Sequence, residues 1–201
     1  MTYTGKRTRR LAGLALLTGL VLVLQTCATF FLNLGGFPIT AALIPIVVGA
    51  ALYGPAAGAC LGAVFGIVTA LACGLGLDPA GYILFTARPL MTTALCLLKG
   101  ILAGWLPGLV YAALGRRHPT RGGFLASVSA PVVNTGVFAA GVVLFYPAVL
   151  EAWAGGTSVA YYLVAVLIGV NFLVEFTVNA VLSTVVVRVL SAYGHRNPRR
   201  R

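Results

Sequence analysis

The stretch GVNFLVEFTVNAVL, residues 169–182, sets Asn171, Glu175 and Asn179 at intervals of four in an otherwise apolar segment. On a helix that spacing puts all three on one stripe. Glu175 is one of only three acidic residues in the chain, with Asp78 and Glu151, and a charge at the centre of a bilayer costs about 3 kcal/mol on insertion scales. If the segment crosses lipid, its polar stripe must face protein or a watery cavity, and Glu175 needs a partner. Lys99, inside another apolar run, is the candidate. Two readings stand: a buried Lys99–Glu175 pair that holds two spans together, or polar groups lining a binding cavity. On the second reading a substrate enters from the outer face and meets Asn134, Asn171 and Lys99.

Other residues offer chemistry at the rim. Arg88, in TARP, stands where an apolar span begins; its guanidinium either receives a carboxylate or phosphate from solution or pairs with Asp78 or Glu151 in a lid. Pro131 lies three residues before Asn134 in SAPVVNTGVF, and a proline within a span leaves a carbonyl without its helical donor, for a ligand or a neighbouring helix to meet. Tyr82, Phe85, Trp153, Tyr161 and Tyr162 fall in connections or at span ends, where interfacial aromatics are expected whether or not they stack on a ligand.

The surrounding chain must hold these groups in lipid. Of its 201 residues 60% are hydrophobic and 8% charged, with a mean hydropathy of +1.00, which exceeds what a soluble domain hides. The fold class is therefore an all-α integral membrane protein. Each crossing of an about 30 Å core takes roughly 20 residues, and the breakers mark six spans: 11–32, ending at NLGGFP; 38–53, ending at YGP; 55–73; 90–114, with Pro107 in GWLPG placed to kink it; 122–146; and 160–193. The apolar connection 74–89 is expected to fold back onto the membrane surface. One membrane domain, 11–193, is thus flanked by basic tails, 1–10 and 194–201.

The basic residues test this count. With six spans the amino terminus, the 2–3 turn, the 4–5 connection and the carboxyl terminus share one side, and twelve of the fourteen Lys and Arg fall there: Lys6 to Arg10, Arg116, Arg117, Arg121, and Arg188 to Arg201. That is the cytoplasmic side by the positive-inside rule, so the +11 net charge reads as topology and not as a nucleic-acid surface. A rise of about 1.5 Å per residue sets Lys99, Asn134, Asn171 and Glu175 at overlapping depth near mid-membrane. The four cysteines lie in apolar segments without ligand spacing and read as small packing residues. Ala15 and Gly19 in span 1, and Gly49 to Gly66 in spans 2 and 3, recur at small-x-x-x-small spacing, which lets helices approach closely but does not say what approaches. No phosphate loop, H-E-x-x-H or G-x-S-x-G occurs, so no catalytic residue, metal or cofactor is implied and the chain has no ATPase of its own.

The order of these segments resembles the substrate-binding S components of energy-coupling factor (ECF) vitamin transporters. FPITAALIPIVVGAALYGPAAGACLGAVFGI is similar to that family's second and third helices, LKGILAGWLPGLVYAALGRR to the fourth, APVVNTGVF to the fifth and GVNFLVEFTVNAVLS to the sixth. The resemblance implies a multi-pass subunit of the bacterial plasma membrane that captures a vitamin at its outer side. It also implies a pocket between helices 4–6 and the outer connections, and small residues of helix 1 docking on a membrane-embedded T component bound to two ATPases, with the subunit toppling in the bilayer as ATP is used. By position Asn134, Asn171, Glu175 and Arg88 would belong to the pocket, and Ala15 and Gly19 to the docking surface; near Lys99 several relatives have an arginine. Asn134-Thr135 with a glutamate in the sixth helix looks most like members handling pantothenate, while riboflavin and folate members share the scaffold. The competing reading is a stand-alone secondary transporter or channel in which Glu175 titrates to couple protons.

Overall fold

Five successive helices open on a proline: Pro55, Pro79, Pro89, Pro119 and Pro147 each occupy the first turn. There the missing N–H has no helical acceptor to lose and the fixed φ suits the helix. In the computed structural model, which describes residues 3–31, 33–34, 37–38, 41–115, 117–162, 169 and 172–182, this punctuation divides the chain into α1 (Tyr3–Phe31), α2 (Leu43–Tyr53), α3 (Pro55–Gly74), α4 (Pro79–Ala87), α5 (Pro89–Val110), α6 (Pro119–Phe145), α7 (Pro147–Ala154), α8 (Val159–Tyr162) and α9 (Phe172–Leu182). A two-residue antiparallel ladder, Asn33 to Pro38 and Leu34 to Phe37, joins α1 to α2.

Among the described residues, four stretches are long and apolar enough to cross a membrane: Arg7–Phe31, Pro55–Gly74, Pro89–Gly115 and Pro119–Phe145. The second expected span is shorter than anticipated. Helix α2 begins at Leu43, not 38, and its 11 residues reach only about 16 Å, roughly half a bilayer core. It lies at the centre of the bundle, with Leu43, Ile46 and Val47 wholly buried among side chains of α1, α3, α5 and α6. Gly54, at φ +94°, turns the chain directly into α3. Of the sixth expected span, α8 and α9 are described; the rest, like Arg116 and the 194–201 tail, lies outside the described residues.

The glycine repeat of α3 finds its partner within the chain. A Cβ added to Gly58 would meet the carbonyl oxygen of Gly104, one on Gly62 that of Gly100, and one on Gly66 that of Cys96. The pairing runs antiparallel, with i, i+4, i+8 on each helix, so α3 and α5 touch backbone to backbone over two turns. Lipid gives helices no hydrophobic reason to associate, and close packing through small residues supplies the attraction.

Helix α5 continues past Pro107 into a π-turn, Tyr111–Gly115. Proline cannot donate to the carbonyl four residues back, and the helical register loosens over the next turn. At the α1 end, the Arg10 guanidinium donates to the Tyr53 carbonyl at 3.1 Å. Helix α1 itself starts at Tyr3. The 74–89 connection contains α4, whose Leu84 is buried with Val142 of α6 and Leu150 of α7. Tyr146 ties this end together: its hydroxyl lies 2.7 Å from that of Thr92 and donates to the Arg88 carbonyl at 3.2 Å.

Candidate functional site

The intervals of four that lock α3 to α5 also aim polar groups into one space. On α3, Phe65, Thr69 and Cys73 follow at i, i+4, i+8; on α5, Thr92, Cys96 and Lys99 share a face; α6 adds Asn134, Thr135 and Phe138, and α9 adds Phe172 and Glu175. Between them lies a cavity of ≈ 70 Å³, room for a few waters at roughly 10–15 Å³ each. A larger groove of ≈ 320 Å³ beside Ile67, Leu71, Phe85 and Leu97 is almost wholly apolar and has little to orient a polar solute.

Lys99 is half-buried, its ammonium 4.8 Å from the centre of the Phe138 ring and 5.9 Å from that of Phe65. Cation–π contacts of this kind contribute roughly 0.5–2 kcal/mol, less than the few kcal/mol that a charge at mid-membrane costs. An anionic group beside Lys99 is therefore favoured. Glu175, 5% exposed, lines the same cavity, so the structure brings together the two charges that the sequence left open as brace or pocket. The next residue of the stripe, Asn179, is wholly buried and donates through Nδ2 to the Glu175 carbonyl at 2.8 Å, without reaching the cavity. Asn171 lies outside the described residues.

Arg88 stands apart from this group. The residue before a proline avoids the helical region, and Arg88, at φ −150° and ψ 84° before Pro89, forms an exposed corner between α4 and α5 that does not line the cavity. Nor does Asp78, one of its two expected acidic partners, turn toward it. Asp78 is buried, caps α4 by accepting from the Gly81 amide at 3.0 Å, and takes a weak contact from the Cys73 thiol at 3.9 Å. Burial pushes its carboxyl above the usual range, with the Gly81 amide, the Lys99 charge and the Cys73 thiol acting the other way.

Several lining residues escaped the sequence reading. Gln25 of α1 and Thr69 of α3 face the cavity, joined by a long 3.4 Å contact from the Gln25 Nε2. The signal for Gln25 was present, since it is a lone amide in the run LVLVLQTCATF, and polar groups inside spans are functional candidates by default. Cys73 and Cys96, read as packing residues, are buried in the cavity wall. Ala15 and Gly19 lie on the outer face of α1: both are exposed, and a Cβ on Gly19 would meet nothing within 4 Å.

A family model described as the substrate-specific component of ECF transporters matches residues 9–190. The chain is also similar to the pantothenic acid transporter PanT of Lactococcus lactis subsp. cremoris (strain MG1363), with 25% identity over 188 residues that cover 89% of this chain and 91% of that protein.

Proposed function

This chain belongs to the family of ECF transporter substrate-specific components, a multi-pass membrane family of transporter subunits and not of enzymes, and from that membership we propose that it captures pantothenate, or a small carboxylate vitamin of similar shape, for uptake. The observation that carries the proposal is the chemistry of the cavity lining, one ammonium held on two aromatic faces with amide, hydroxyl and carboxylate groups around it; the ≈ 70 Å³ space between these groups has to widen to take a vitamin. Pantothenate has one carboxylate, one amide and two hydroxyls. Lys99 receives the carboxylate through a charge-assisted hydrogen bond, while Asn134, Thr135 and Glu175 meet the amide and hydroxyls; Asn171 belongs to the same set by its place on the stripe. The similarity to a pantothenic acid transporter supports this ligand over riboflavin or folate.

Six spans with both termini cytoplasmic, the membrane domain 11–193, and entry of ligand from outside complete the reading. The exposed Ala15–Gly19 face of α1 serves to dock on a membrane T component, and two partner ATPases supply the energy. Binding is tested by titrating the detergent-purified chain with pantothenate, riboflavin and folate and by mass spectrometry of what co-purifies. Tight, ATP-independent retention of pantothenate alone is expected. Failure to bind any of the three, or proton-driven uptake by liposomes holding only this chain, would overturn the proposal.

A further inference from the structure

Gln25 is a buried amide in the apolar run LVLVLQTCATF of α1. Its side chain is 2% exposed and lines the cavity from α1. Among the described residues its Nε2 reaches the Thr69 hydroxyl alone, at 3.4 Å, and that hydroxyl donates its own proton to the Phe65 carbonyl at 2.9 Å. The amide oxygen Oε1 has no hydrogen-bond partner among the described residues. On α6, Asn134 lines the same cavity, 7% exposed, with its Oδ1 likewise unsatisfied. Turning the Gln25 amide over exchanges the two ends but still leaves one without a partner. Buried amide groups without partners are disfavoured and rare, and two of them on one cavity mark positions that another molecule completes.

We propose that Gln25 is a specificity-determining contact that receives a hydroxyl or amide N–H donor from the bound ligand. The inference rests on the reading of this cavity as the substrate site, and it extends that site onto α1, outside the α5–α6–α9 face that holds Lys99, Asn134 and Glu175. The selected ligand then carries two donors in addition to its anionic end. A carboxylate with a purely hydrocarbon body would leave both amides unsatisfied and would be rejected.

The test uses Gln25→Met, which keeps the length of the side chain and removes its polar end. Titration of the purified full chain with pantothenate should show about tenfold weaker binding in the variant, the usual worth of one buried neutral hydrogen bond. Two analogues identify the donor, one with both hydroxyls replaced by hydrogen and one methylated on the amide nitrogen; the analogue lacking the matched donor should bind wild type and variant equally. Equal binding of all three ligands by both proteins, or an equal loss for all three, overturns the proposal. Melting of the ligand-free proteins gives a separate reading. Removing an unsatisfied amide should raise the Gln25→Met melting temperature by roughly 2–4 °C, whereas a lower value makes Gln25 a structural brace and overturns the proposal. Should wild type bind no pantothenate, the ligand assignment falls while the melting comparison still decides the role of Gln25.

Discussion

Gly62→Ala is the most direct probe of what holds the cavity open to its present width. Gly62 is the middle of three contacts between α3 and α5, with Gly58 against Gly104 on one side and Gly66 against Cys96 on the other. A methyl group there meets the Gly100 carbonyl oxygen and the Ile101 Cα, both backbone atoms that cannot rotate away. The helices must part, and because the contact is central, both flanking layers loosen with it. Overpacking of this kind costs about 1–3 kcal/mol, against which alanine recovers up to about 1 kcal/mol of helix propensity. Gly136→Ala on α6 is the control, since a Cβ there meets nothing within 4 Å. The two variants share the propensity gain, so their difference isolates the steric term. At roughly 2–4 °C per kcal/mol for a chain of this size, Gly62→Ala should melt about 2–12 °C below Gly136→Ala. The readout is thermal unfolding in one detergent, followed by fluorescence of Trp105 and Trp153. Because α3 carries Thr69 and α5 carries Lys99, Gly62→Ala should also weaken pantothenate binding, and Gly136→Ala should not. Equal melting of the two variants would refute the backbone contact as the source of α3–α5 association.

Lys99→Gln should weaken pantothenate binding by roughly 10–100-fold, the worth of a charged hydrogen bond, and leave unchanged the binding of the alcohol analogue that lacks the carboxylate, as measured by calorimetric titration; an equal loss for both ligands would make Lys99 structural. Asp78 gives a pH signature. Its folded carboxyl holds a proton to higher pH than the unfolded chain does, so its contribution is complete below the unfolded value of about 3.9 and is lost as pH rises through the raised folded value. Melting temperature should therefore fall across that window in wild type and stay flatter in Asp78→Asn, which caps α4 comparably. Gly19→Trp places a bulky ring on the open face of α1 and should abolish uptake in cells supplying the T component and ATPases while pantothenate binding by the purified chain is unchanged; parallel loss of both would deny a docking role.

Much of this protein is legible in its sequence because the controlling physics is local. Hydropathy over some twenty residues is enough to put the chain in a membrane, and five prolines at helix starts mark elements through their own missing N–H groups. The cost of burying charge in lipid turns Lys99, Asn134 and Glu175 inward, and the structure sets all three on one cavity.

Which face meets which face was another matter, because that depends on contacts between segments far apart in the chain. Glycine spacing on α3 announced close approach, yet only the tertiary structure names α5 as the partner and sets the antiparallel register. That register decides what lines the cavity. It brings Thr69, Thr92 and Lys99 into one space, admits Gln25 from α1, and turns Asp78 inward while the corner at Pro89 leaves Arg88 outside. The apolar run before Gly54 reads as a span from 38, whereas the helix covers only Leu43–Tyr53, with Leu43, Ile46 and Val47 wholly buried against α1, α3, α5 and α6. Sequence fixes the solvent a helix prefers through the sum of its own side chains, whereas the contents of a cavity follow from where several backbones come close enough to touch.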